Sequence, residues 1–451
     1  MSSVGWKLNC VIICAFVSGR AYAVDVLGTA RVGAYTRTVQ FIDEINGETN
    51  NDENVFSAQL KAEIYDFNSR DDTFVMDIRD KVDTFGKLDQ QNLSLETYNR
   101  LQIREMAYKR PWETNRIYFS LGRFSLIEAA IIDNDGAEIG YRFSRSLRFG
   151  LFGGQAPKDV VTPYYINPDD AAEVNSTQGG LYVSYEKKSG FERSIYTNNA
   201  VAISPTYNIT DEQSHTYFFH MGLWNLTPSN RISTYLIQDL VPTSSLRRGS
   251  VSHQYLGVKL KTSLSFAQTN TEDYLIRRDL LDELLPSSEQ AINLDIRHRM
   301  FSMLSVDYSA GFSKRSADGK TANDFALGII LPKFLLATGS LRAQFGQRTG
   351  YTSEGTFIRA GYEYWNQTFS ASLIHTVRND TYEEDQFKTT RQITDVDAGI
   401  FLSDRLRGSV GFQREADERL SATAFFMMVG YRFGVGSVAP VRQKPSLFEE
   451  I

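Results

Sequence analysis

Histidine is the side chain that most readily serves as a metal ligand or proton relay near neutral pH. The chain has five: His215, His220, His253, His298 and His375. None stands at a helical metal-ligand spacing, and His215 and His220, five apart in an alternating run, point to opposite faces of a strand. No metal site and no cofactor is expected. There is no G-x-S-x-G elbow, no Walker loop and no H-E-x-x-H helix. His375 lies near Ser370 and Ser372, a combination able to support acyl transfer, but the serines have the opposite strand parity. Both cysteines, Cys10 and Cys14, fall in an N-terminal stretch expected to be removed, which leaves no thiol for a disulfide, a thiolate metal site or a nucleophile. The expectation is that the protein is not an enzyme.

The other candidate residues are charges at alternate positions of apolar runs. Arg79, Arg100, Arg104, Arg142 and Arg148 lie early in the chain, and Asp295, Asp307, Glu363, Asp395 and Asp397 lie late. If the apolar faces point outward, these side chains are candidates to line an enclosed lumen. Opposed rows of unlike charge would impose a transverse field that selects ions. Alternatively, cross-strand pairs would stiffen the wall, each contributing about 0.2–1 kcal/mol. The separation by sign is imperfect, because Glu63, Asp77 and Glu138 lie early and Arg297, Arg342 and Arg359 lie late.

Strands must position these groups. Phe56, Ala58, Leu60, Ala62 and Ile64 alternate with Ser57, Gln59, Lys61 and Glu63. The same pattern recurs at Phe74, Met76 and Ile78, at Leu256, Val258 and Leu260, at Ile292, Leu294 and Ile296, and at Val396, Ala398, Ile400 and Leu402. Such runs are strands with one apolar and one polar face. Between them, short connections alternate with long ones. The short set includes Ser144–Ser146, Thr227–Asn230 and Lys261–Ser263, and the long set includes Ile42–Asn54, Phe85–Thr97, Phe124–Asp135, Gln155–Thr177 and Asn270–Glu289. About 22 strands result, within a range of 18 to 22. The long connections sum to roughly −20 in formal charge and the short ones to roughly +6. The expected fold is all-β: a transmembrane antiparallel up-and-down barrel with long outer loops, short periplasmic turns and both chain ends on the periplasmic side.

The last run, Met428-Val429-Gly430-Tyr431-Arg432-Phe433, resembles the aromatic-rich final strand of bacterial outer-membrane β-barrels of the porin type. The resemblance implies an outer-membrane location in a Gram-negative cell envelope. It also implies insertion by the barrel-assembly machinery, with Gly430, Tyr431 and Phe433 as the assembly signal. One departure is the tail 434–451, which has Pro440 and Pro445 and no strand pattern. It is expected to hang in the periplasm or to hold its own partner.

Three segments follow: a cleaved signal peptide, 1–23, ending in the A-x-A site Ala21-Tyr22-Ala23; a barrel, 24–433; and the tail, 434–451. The acidic balance, net charge −6 over 451 residues, argues against nucleic acid as a partner. Expected partners are outer-membrane lipid and lipopolysaccharide, small solutes and, as an open alternative, further copies of the chain. In the long connection 270–289, Leu280, Leu281, Leu284 and Leu285 predict an amphipathic helix that enters the lumen, caps the mouth, contacts a neighbouring protomer or packs on its own strands. The leading functional expectation is a porin-like channel for passive diffusion of small hydrophilic solutes or ions. The alternative is a structural or surface-interaction barrel without an open channel, and behind it stands a barrel lipase or protease.

Overall fold

The computed structural model describes residues 25–435 except 44–46, 67–71, 90–91, 158–176, 190–191, 208–211, 242–243, 271–287, 317 and 383–386. The expected signal peptide, the predicted helix of 270–289 and nearly all of the tail lie outside the described residues. The chain forms 22 antiparallel strands in sequence order. Four long strands come first: β1 Val26–Asp43, β2 Gly47–Tyr65, β3 Thr73–Asp89 and β4 Asn92–Arg110. Three short ones follow: β5 Ile117–Leu126, β6 Ile132–Arg142 and β7 Leu147–Gln155. Next come β8 Thr177–Ser189, β9 Glu192–Tyr207, β10 Glu212–Thr227, β11 Asn230–Val241, β12 Ser245–Leu256 and β13 Leu260–Asn270. The circuit continues through β14 Ser288–Phe301, β15 Leu304–Arg315, β16 Thr321–Pro332, β17 Gly339–Thr349 and β18 Ser353–Trp365. It ends with β19 Phe369–Tyr382, β20 Lys388–Phe401, β21 Leu406–Ala416 and β22 Leu420–Val435.

Each strand pairs with its sequence neighbours, and β1 pairs with β22 from Val26↔Val435 to Phe41↔Leu420, so the sheet closes. Closure explains how a wall can be apolar on its outside. Phe56, Leu121, Ile139, Leu181, Leu264, Ile292, Phe345 and Val429 are all exposed on one face, whereas water-soluble proteins do not present a continuous belt of this kind. Phe433 secures the closing seam. A Cβ placed on Gly28 would stand 2.2 Å from Cζ of Phe433 and 2.6 Å from the Lys61 carbonyl oxygen, so the ring occupies the space that glycine leaves open.

Two expectations change. The segments Ile42–Asn54 and Phe85–Thr97 are mostly ladder, not loop: β1 and β2 pair out to Asp43↔Gly47, and β3 and β4 out to Asp89↔Asn92. Apolar alternation ends where a strand leaves lipid, but backbone pairing need not. The turn expected at Lys261–Ser263 lies instead at 257–259, between β12 and β13. Gly257 makes the bend, since a Cβ there would meet the Tyr255 ring at 2.7 Å and the Leu260 carbonyl at 2.9 Å. Val258 therefore sits in the turn, and a new outward row begins at Leu260, Leu264 and Phe266.

Gly28→Val should overpack the seam by about 1–3 kcal/mol and abolish the compact, heat-modifiable band on unheated gels. Gly33→Ala, whose added Cβ would come no closer than 3.4 Å to the Met427 carbonyl, should keep that band.

Candidate functional site: the barrel lumen

Between β5 and β6 the chain folds into the lumen. A 3-10 turn, Ile127–Ala129, is followed by Ala130 at φ 67° and Ile131 at φ 61°. Left-handed backbone at a β-branched residue costs roughly 1–3 kcal/mol and persists only where surroundings impose it. Here the inner wall does so. Arg148 Nη2 of β7 donates to Glu128 Oε1 at 2.5 Å, and its guanidinium lies 4.2 Å from the Trp112 ring centroid. Asn198 of β9 donates to the Glu128 carbonyl, and Tyr217 of β10 donates to the Ala129 carbonyl at 3.1 Å. The segment thus reaches across the inner surface of several strands.

Beneath it the wall is packed solid. Gly140 and Gly150 have no side chain, and the rings of Tyr118 and Tyr182 fill those places; a Cβ would stand 2.0 Å and 2.4 Å from the respective Cζ atoms. The Tyr118 hydroxyl donates to the Phe149 carbonyl at 2.9 Å and lies 3.0 Å from the Tyr182 hydroxyl. Tyr182 in turn donates to Glu138, which also accepts from Ser120 Oγ at 2.9 Å. Phe124, Leu126, Ala129, Phe152, Ala200 and Phe219 complete an apolar cluster around this network. A buried carboxylate is tolerated because its oxygens have donors.

The wall from β14 to β20 is different. Asn293, Asp295, Arg297, Asp324 and Arg348 share the inner face and are exposed. Asp307 is 8% exposed and bridged, with Arg297 Nε at 2.7 Å and Arg342 Nη2 at 3.3 Å. Ser372 Oγ donates to Asp397 at 3.3 Å. Asp295, Glu363 and Asp395 form no ion pair among the described residues.

The early arginines are dispersed. Arg79 is half-buried on the inner face, and Arg104 is an unpaired bulge residue whose guanidinium lies 4.0 Å from Asp77. Arg142 donates to the Glu113 carbonyl at a short turn, Arg148 is buried against the inward segment, and the side chain of Arg100 lies outside the described residues. The sequence reading had not singled out Glu128, Trp112, Tyr118, Tyr182, Asn198 or Tyr217. The usable signal was glycine in mid-strand on the inner face, which marks close approach by a neighbour.

The histidines fall on separate faces. His215 points inward, 4.0 Å from Asp239, while His220 points outward between Asn199 and Thr234, each at 2.9 Å. His375 bonds Thr394 on the outer face, whereas Ser370 and Ser372 are buried on the inner one. No serine–histidine pair is assembled there.

No protein-family profile matches the sequence, and no curated protein does. Among solved structures, Pseudomonas aeruginosa OccK7 (OpdD) is 8% identical with a TM-score of 0.47, covering 92% of this chain and 100% of that one. Pseudomonas aeruginosa OpdQ is 10% identical with a TM-score of 0.44, covering 91% and 98%. The translocation pore of the P pilus usher PapC is 8% identical with a TM-score of 0.43, covering 89% and 99%. Likeness at this level carries no argument about function. The strand pairing itself defines the class, a closed 22-stranded antiparallel up-and-down barrel.

Arg148→Ala would leave the half-buried Glu128 without its cation, a change that costs up to about 3–5 kcal/mol when the pair is fully buried and less here. The urea midpoint of the folded barrel should fall accordingly, and protease accessibility at 126–132 should rise.

Proposed function

We propose that the protein is an outer-membrane channel for passive diffusion of small hydrophilic solutes or ions. The observation that carries this reading is the contrast between the two halves of the lumen. A barrel of this size cannot fill its bore with side chains alone. Here the inward segment and the tyrosine network occupy the side of β5 to β10, while Asp295, Arg297, Asp324 and Arg348 on the inner face of β14 to β17 stay exposed. A wet, charged path beside a solid half is a restricted pore. Unbridged carboxylates at Asp295, Glu363 and Asp395 would favour cations along that wall, and Arg79, Arg100 and Arg104 would act on the facing side. The separation of His375 from Ser370 and Ser372 favours a channel over a barrel hydrolase.

The same reading assigns 1–23 to export and Gly430, Tyr431 and Phe433 to recognition by the barrel-assembly machinery. It also lets the acidic outer connections share divalent cations with lipopolysaccharide phosphates.

Refolded protein in planar bilayers should give stepwise conductance; a folded barrel with none would sink the proposal. Asp395→Lys combined with Asp397→Lys should move the reversal potential under a salt gradient toward anion preference, lowering the cation-to-anion permeability ratio several-fold. Arg100→Glu with Arg104→Glu should move it the opposite way.

A further inference from the structure

Among the described residues the wall has one weak seam. Strand β4 pairs with β5 over five positions only, from Met106↔Arg123 to Arg110↔Phe119. Above that point, among the described residues, β4 continues to Asn92 against β3 alone, and β5 continues to Leu126 against β6 alone. Gly122, at φ 114°, sits at this boundary; a Cβ there would lie 2.3 Å from the Met106 carbonyl. Elsewhere the shortest ladder between neighbours has eight pairs, β6 with β7. The upper part of this ten-residue strand therefore needs a closure other than a backbone ladder to β4.

A side chain supplies it. Arg123 Nη1 donates to the Ile103 carbonyl of β4 at 2.7 Å, and Nε and Nη2 grip Asp135 of β6 at 2.6 Å each. Beside it lies a cleft of about 130 Å³, bordered by residues of both faces of the wall. Asp77 and Gln102 border it from the inner face, while Ile103 and Asp133 border it from the outer one. Its lining is polar and of both signs, with Glu105 and Arg104 adding to the group. On the outer surface next to it, Leu101 is 60% and Met106 37% exposed on β4, while Arg123, Ser125, Asp133 and Asp135 stand on the β5–β6 side.

From this geometry we infer that the β4–β5 seam is a lateral portal latched by Arg123, through which an amphiphile with a zwitterionic head passes between lumen and bilayer. The head occupies the mixed-charge cleft and the apolar chain stays in lipid beside Leu101 and Met106. The inference rests on the membrane-barrel reading but not on ion conduction.

The full-length protein in phosphatidylcholine vesicles, loaded with a fluorescent short-chain lysophosphatidylcholine on both leaflets, provides the test. Albumin, too large for the bore, extracts the probe from the outer leaflet, so slow extraction of the remainder reports transbilayer exchange. Exchange should exceed that of protein-free vesicles at least several-fold. Arg123→Ala, and independently Asp135→Asn, should raise it further while leaving single-channel conductance unchanged. Extraction at the protein-free rate for wild type and both variants would overturn the inference, as would accelerated exchange identical in all three. Loss of conductance with exchange intact would strike only the channel reading.

Discussion

In the hydrocarbon of a bilayer a peptide group without a hydrogen-bond partner costs several kcal/mol, and almost every feature of this chain answers that constraint. Pairing of β1 with β22 leaves no free edge at the ends of the sheet. Phe433 lying over Gly28 shows how side-chain volume is arranged around that pairing instead of competing with it. Where the ladder between β4 and β5 stops, a guanidinium takes over the carbonyl that a neighbouring strand would have bonded.

A closed wall creates the opposite difficulty inside, an excess of space. The chain meets it unevenly. Glycines at 140 and 150 allow tyrosine rings to lie against the sheet, and those hydroxyls and Ser120 satisfy a carboxylate that would otherwise be expensive to bury. The strained turn after Ala129 is held by Arg148, Asn198 and Tyr217, residues far from it in sequence. On the far wall, Asp307 is locked between two arginines but its neighbours remain wet. Rigid packing on one side and hydrated charge on the other follow from where the glycines and the inward segment fall.

The barrel was legible because lipid forces a period of two on every spanning strand, as in Phe56 to Ile64 or Ile292 to Ile296. The outer extensions of β1 to β4 were not, since with water on both faces nothing requires alternation. The register at Leu256, Val258 and Leu260 misled for a related reason: three apolar residues at the right spacing span a turn that Gly257 makes possible. The inner-face parity of the late carboxylates could be read, but their bridging could not. Whether Asp307 is paired and Asp395 is not depends on which strand lies alongside, information that alternation does not hold. The anchors of Ile127–Ala129 come from three distant strands, so no local pattern announced them.

Strands β1 to β4 run 17 to 19 residues, whereas β5 to β7 run 9 to 11. The strand wall is therefore a parapet that is tall along one arc and cut down along the next. The consequence is mechanical: β3 and β4 share 17 paired positions against 8 for β6 and β7, so the tall arc is the stiffer part of the wall.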